Sequence, residues 1–200
     1  MLSFGGIKVK IILGSASLRR HELMNLLNVP YEVIVSDEDE VYDKNKTLYE
    51  QCIDISYHKA LNVYKRTSGD RIVIGSDTVV IFNNKIYGKP KDLNDAYKMI
   101  KELSGNYHEV VTSLTFLVFD GNNYFEEKTY EVVKVYVDSL NDEEIYDWIN
   151  NHNVMDMAGG YAIQQEFGKF ITKIEGDYFS IVGFPLNKVY QLLKKYYHCD

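Results

Sequence analysis

Cysteine is scarce in this chain: two residues in 200, Cys52 and Cys199. Neither belongs to a metal-type pair such as C-x-x-C, and both are read as free thiols of a reducing compartment. Proline occurs three times, and there is no Pro-rich or Gly/Ser-rich linker and no repeat. No window approaches the ~20 apolar residues that span a bilayer, which excludes a transmembrane helix. The N-terminus lacks a basic region followed by a long apolar stretch, so no signal peptide is expected, and a cytoplasmic location is. The histidines, His21, His58, His108, His152 and His198, show no ligand spacing such as H-x-x-x-H. A Walker-type phosphate loop is missing, which argues against a kinase or GTPase, and there is no G-x-S-x-G elbow. Positive charge is also in deficit. Twenty-two Lys and Arg face 29 Asp and Glu, for a net charge of −7. Such a chain is a poor general binder of nucleic-acid backbone, so any phosphate site must be a local gathering of basic residues.

What is present reads as a soluble α/β chain. The hydrophobic fraction of 46% is enough for a sizeable core. Val9 to Leu13 is a buried strand, stopped at Gly14. Ser17 is placed to cap a helix to about Asn28, with Leu23, Leu26 and Leu27 inward. Tyr31 to Val35 is a second strand, and the acidic run from Ser36 to Asp43 is a loop. Thr47 to Lys65 has a helical pattern with Ile53, Tyr57, Ala60, Leu61 and Tyr64 on one side. Ile72 to Gly75 is a short strand ending at Ser76-Asp77-Thr78. Val79 to Phe82, the turn Asn83-Asn84 and Lys85 to Tyr87 form a hairpin. Asp92 caps a helix to Leu103. Val110 to Phe119 and Tyr130 to Val137 make a long antiparallel pair. Asn141 with Glu144 fits a capping box for a helix to about Asn150. Phe170 to Ile174 is a late strand, and Pro185 starts a last helix. The hairpins interrupt what would otherwise be a regular βαβ repeat.

The chemistry lies in the breaks. Ser15 and Ser17 follow a strand, and Arg19 and Arg20 fall in the first turn of a helix. There they oppose the helix dipole, which a nearby anion would offset. Guanidinium takes phosphate oxygens in a two-pronged fork, so phosphate is the natural candidate. Asp77 sits among small residues at a strand end, as a carboxylate at the mouth of a sheet, or as the cap of a turn. Lys59 on its helix, Lys89 on the Gly88-Lys89-Pro90 turn and Glu40 in the acidic loop read singly as solvated charges. Asp156 to Gln164 is Gly-rich, as in a loop packed closely on a ligand or another backbone. A basic pair, two separate lysines and two acidic points are what phosphoester chemistry with a divalent ion needs.

Taken together, these segments resemble a known family. Ser15-Ala-Ser17-Leu-Arg19-Arg20, the Glu40 loop, His58-Lys59-Ala60, Gly75-Ser-Asp77-Thr78-Val-Val, Gly88-Lys89-Pro90, Asp156 to Gln164 and Val182-Gly-Phe-Pro-Leu186 follow the order and approximate spacing of the Maf family. These are nucleoside triphosphate pyrophosphatases related in fold to the inosine triphosphate pyrophosphatases. The resemblance covers residues 8 to 196. It implies one Maf-like domain over 1–200, with residues 1–7 a flexible extension. The implied fold is a long bent mixed sheet flanked by helices, with two lobes around a deep cleft, often as a homodimer. The implied activity is cleavage between the α- and β-phosphates of a nucleoside triphosphate, with no nucleic-acid polymer or membrane as partner. Residue by residue, Asp77 matches the general base, and Ser15, Ser17, Arg20, Lys59 and Lys89 match substrate-binding positions. Glu40, with Asp77, matches the metal-holding positions for Mg²⁺ or Mn²⁺, with Co²⁺ as an alternative. Arg19, Thr78 and Gln164 match the branch that resembles dTTP/UTP pyrophosphatases rather than the 7-methyl-GTP branch. Leu18 stands where proline is usual, Met157 replaces a common lysine, and Gly160 and Gln165 also depart from the commonest residues. None removes a catalytic group. The rival reading is a non-catalytic nucleotide-binding regulator of cell division or septum formation, which retention of Asp77, Lys59 and Lys89 disfavours.

Overall fold

Strand β1 (Lys10–Leu13) pairs in parallel with both β2 (Glu32–Val33) and β3 (Arg71–Phe82), Leu13 lying opposite Val33 and Ile74. The computed structural model describes residues 9–196. The extension expected over residues 1–7 and Cys199 lie outside them. Among the described residues the sheet has seven strands, in the order β2-β1-β3-β5-β6-β7, with β4 (Lys85–Tyr87) paired antiparallel to β3. β5 is Tyr107–Phe119, β6 is Tyr124–Val137 and β7 is Ile171–Glu175. β6 and β7 run antiparallel, so the sheet is mixed. The helices are α1 (Leu18–Asn25), α2 (Leu48–Lys65), α3 (Leu93–Leu103), α4 (Asp142–Asn151), α5 (Tyr178–Val182) and α6 (Leu186–Tyr196). The expected mixed sheet flanked by helices is therefore present. No helix among the described residues is long and apolar enough to cross a membrane.

The chain divides into two compact units. The first holds residues up to Asp77, Thr112–Glu131 and the segment from Gly183; the second holds Thr78–Val111 and Val132–Val182. In the first, α2 lays Ala60 and Val63 on Ile12, Val73 and Leu117. In the second, Ala96, Ile100 and Leu103 of α3 and Ile145, Trp148 and Ile149 of α4 pack with Val110 and with Val133, Val135 and Val137 of β6.

Local chemistry sets most element ends. Thr47 caps α2 through a capping box with Glu50, and Asn141 does the same for α4 with Glu144. Asp92 accepts the Asp95 N–H at the start of α3. Asn83 and Asn84 take φ of 48° and 58°, the left-handed pair a two-residue hairpin requires.

Four expectations need correction. β3 does not stop at Gly75 but runs unbroken to Phe82, so Asp77 lies within a central strand rather than at its end. The small polar residues there are not punctuation: Ser76 Oγ donates to the Gly183 carbonyl at 3.3 Å, and Asp77 meets Lys59. α1 ends at Asn25, three residues early, which leaves Leu26 63% exposed while Leu23 and Met24 are buried. Ser17 holds the N-cap position without a side-chain capping bond. The buried stripe of α2 is Cys52, Ile55, Ser56, Ala60 and Val63, and Ile53, Tyr57, Leu61 and Tyr64 flank it half-buried. α5 and the single 3₁₀ turns at Val154–Asp156, Ala158–Gly160 and Glu166–Phe170 carried no strong periodic signal.

Candidate active site

In the first unit the site is built by a close approach of α2 to β3. A Cβ on Gly75 would lie 2.2 Å from the Ser56 carbonyl oxygen and 2.9 Å from the Ala60 side chain. Only glycine permits that contact. The approach carries Lys59, beside Ala60, to Asp77, two residues beyond Gly75. Lys59 Nζ donates to Asp77 Oδ1 at 2.7 Å and to Glu40 Oε1 at 2.6 Å. Asp77 is buried, and its second oxygen, Oδ2, has no hydrogen-bond partner. An unpaired buried carboxylate oxygen is costly and calls for a function.

The end of β1 supplies the second half of this group. Gly14 N–H donates to the Ile74 carbonyl at 2.8 Å, which sets Ser15 alongside β3. Ser15 Oγ accepts from the Ser17 N–H and from Arg20 Nη1, both at 3.2 Å. Arg20 Nε donates to the Gly183 carbonyl at 2.9 Å, and His21 Nε2 stands 2.7 Å from the Ser15 carbonyl oxygen. The arginine is thus braced on two sides. Desolvation lowers its pKa, while the Asp77 and Glu40 carboxylates push it back up. The guanidinium stays charged.

Two residues near Asp77 were missed by sequence reasoning. Tyr42, half-buried on the acidic loop, has its phenol pKa raised by burial first and then by Asp77 and Glu40. Cys52 is buried on α2, its Sγ 3.3 Å from Ser113 Oγ and 3.9 Å from the Asp77 carbonyl oxygen. Burial, then Asp77, pushes that thiol up to about 12, so it is neutral and inert. Nothing in the acidic run marked Tyr42, whereas Cys52 falls on the buried stripe of α2.

The second unit holds Thr78, Lys89, Asp156 and Gln164. Lys89 Nζ is 3.7 Å from Asp156 Oδ1, and both side chains are well exposed. The Gly88 carbonyl accepts the Gly159 N–H at 3.0 Å, and Trp148 Nε1 donates to the Gly160 carbonyl at 2.9 Å. Gly159 and Gly160 take φ of 69° and 78°. Below this loop, His108 Nε2 meets the Tyr161 hydroxyl at 2.7 Å, and burial lowers the His108 pKa to about 4. Thr78 is half-buried on β3, and Gln164 is exposed.

Ser15, the Ser17 backbone and Arg20 therefore form one bonded group and Glu40, Lys59 and Asp77 a second, with the Gly183 carbonyl accepting both from Arg20 and from Ser76, the neighbour of Asp77, while Lys89 pairs with Asp156. Arg19 is half-buried in the first turn of α1. Among the described residues no three His, Cys, Asp or Glu side chains gather as a metal cluster. Mg²⁺ needs no such cluster, because it binds through one or two carboxylates plus substrate phosphates and water. Glu40 and Asp77 already face one cationic amine, at 2.6 and 2.7 Å, so two carboxylates lie within reach of a single cation and fit that donor set.

The family model described as Maf-like protein matches residues 10–196. The dTTP/UTP pyrophosphatase of Alkaliphilus oremlandii is 44% identical over 188 residues, which cover 94% of this chain and 96% of that protein. The dTTP/UTP pyrophosphatase of Thermoanaerobacter sp. is 40% identical over 187 residues, again 94% and 96% of the two chains. Among solved structures, a nucleoside-triphosphatase / dITP/XTP pyrophosphatase from Mycobacterium abscessus is 13% identical, covers 64% of this chain and 74% of its own, and has a TM-score of 0.43.

Proposed function

This chain belongs to the Maf family, and from that premise we propose that it hydrolyses the α–β phosphoanhydride of dTTP and UTP to the nucleoside monophosphate and pyrophosphate. The observation that carries the reading is Asp77. One carboxylate oxygen is held by Lys59 and the other is buried without a partner. A fixed carboxylate with one free acceptor is the form a general base takes when it orients a water and receives its proton. Arg20, fixed on Ser15 and Gly183, presents a guanidinium to phosphate oxygens. Lys59 balances the two carboxylates and supplies a second cation for charge developing on the phosphates. In the second unit we assign Lys89 to phosphate, and Gln164, with Thr78, to the base. A glutamine amide both donates and accepts, as a uracil or thymine edge requires.

Glu40 and Asp77 are the residues that would hold a divalent cation, Mg²⁺ or Mn²⁺. Bound there, the cation would neutralise phosphate charge and polarise the phosphorus. A nucleotide-binding regulator would have no use for a buried, half-paired carboxylate, so no observation favours that alternative. The test is a panel of dTTP, UTP, CTP, ATP and 7-methyl-GTP with Mg²⁺, Mn²⁺ and Co²⁺, scored for pyrophosphate release. dTTP and UTP should lead. Preference for 7-methyl-GTP would overturn the pyrimidine reading, and release of orthophosphate alone would overturn the cleavage site.

A further inference from the structure

We propose that His108 is a positioning residue for base selection, acting through the Tyr161 hydroxyl to fix the backbone that presents Gln164. This rests on the pyrimidine reading of Gln164 given above. His108 and Tyr161 are 1% and 6% exposed, with Nε2 2.7 Å from the hydroxyl and the rings edge to face at 5.4 Å. The hydrolytic mechanism gives this pair no task. Tyr161 stands between Gly160 and the turn that carries Gln164, where the Gln165 N–H donates to the Ala162 carbonyl at 3.1 Å. Upstream, Ala158-Gly159-Gly160 offers no side chain larger than a methyl with which to anchor itself. Its backbone is held at Gly159 by Gly88 and at Gly160 by Trp148. Tyr161 is the next hold along the chain, packed on Phe167 at 4.7 Å and tied by its hydroxyl to His108. A segment this rich in glycine keeps one conformation only where such ties remove its freedom.

The histidine itself needs explaining. Its Nδ1 is buried without a partner. For packing alone, an apolar side chain opposite a phenylalanine would serve without leaving a polar atom unsatisfied. The imidazole is worth that cost if the Tyr161 hydroxyl must be held in one place. A pocket that reads a base by hydrogen bonds loses discrimination when its reading group is free to shift.

Tyr161→Phe, His108→Leu, their double variant and His108→Gln test this with dTTP, UTP and CTP, reading kcat and KM separately. Tyr161→Phe and His108→Leu should each raise KM for dTTP about tenfold and cut the preference for dTTP over CTP about tenfold, with kcat within about twofold of wild type. The double variant should be no worse than either single, and His108→Gln, which keeps a donor and an acceptor, should recover most of the preference. Tyr161→Phe keeps the ring and guards against a His108 variant that fails to fold. An unchanged dTTP-to-CTP preference in a folded Tyr161→Phe protein overturns the proposal, whatever happens to Tm. If the wild type prefers another nucleotide, the pyrimidine reading falls instead. His108 is then judged on whether its variants lose that preference.

Discussion

Lys59→Met should destabilise the protein by about 3 kcal/mol at neutral pH, and Asp77→Asn in the same chain should recover most of that loss. The magnitude follows from burial. The Asp77 side chain is 7% exposed and that of Lys59 16%, so their 2.7 Å ion pair belongs to the buried class. Removing one partner of such a pair costs about 3–5 kcal/mol, because the other is left as a buried uncompensated charge. The lower end applies here because water still reaches part of the lysine. The Glu40 carboxylate is 45% exposed and adds little to the cost, as surface pairs do. In a chain of 200 residues, 3 kcal/mol corresponds to a fall of about 6–12 °C in Tm. Methionine preserves the length of the side chain and its packing beside Ala60, so the loss reports charge rather than a cavity. Urea unfolding of the wild type, both single variants and the double variant, without nucleotide or metal, measures the coupling directly. A single Lys59→Met loss below about 1 kcal/mol would place the pair in the surface class and refute the argument. Additive effects in the double variant would equally show that Lys59 does not act through Asp77.

Short-range chemistry was legible in the sequence, and long-range chemistry was not. Asn141 with Glu144, and Asp92, each announce a helix start because the capping side chain bonds a backbone group three residues away, whereas α2 is legible from its helical pattern and its Thr47–Glu50 box emerges only in the structure. Asn83-Asn84 marks its hairpin because asparagine tolerates the left-handed backbone that a two-residue turn requires. Gly75-Ser76-Asp77 has the composition of a break, although its glycine is there for the approach of α2, and Ser76 Oγ and Asp77 Oδ1 are met by distant partners. The helical pattern puts Leu26 inward only if α1 continues a turn past Asn25, where it ends. At the site, the residue types and their order carried the resemblance to the Maf family. The bond from Lys59 to both Asp77 and Glu40 spans 18 and 19 residues, which no local pattern encodes. The same holds for Arg20, whose brace on Gly183 closes a separation of 163 residues. Tyr42 and the His108–Tyr161 pair were missed for that reason too: each is defined by what it lies against, not by its neighbours in the chain.

Asp77→Asn should lower turnover at least ~10²-fold while leaving nucleotide binding largely intact, as judged by single-turnover kinetics beside equilibrium titration of dTTP. Near-normal turnover would remove Asp77 from the role of base. Lys89→Ala should weaken triphosphate binding yet hardly move Tm, because its 3.7 Å contact with Asp156 joins side chains that are 63% and 67% exposed. A collapse in stability would make Lys89 structural instead. Gln164→Glu should impair dTTP and UTP selectively, since a carboxylate cannot donate to a base carbonyl; equal losses on CTP and ATP would count against base reading. The last expectation concerns acid. His108 has its pKa lowered to about 4 by burial, against 6.5 when exposed. Below pH 6.5 the unfolded chain therefore takes up a proton at this residue that the folded chain refuses until about pH 4. Its contribution is fully favourable above pH 6.5, declines as pH falls from there, and has cost about 3 kcal/mol by pH 4. His108→Gln has no such proton to refuse. Its stability, compared with wild type by urea unfolding at pH 7.5 and pH 4.5, should fall less on acidification, and equal falls would mean that His108 is not held neutral by the fold.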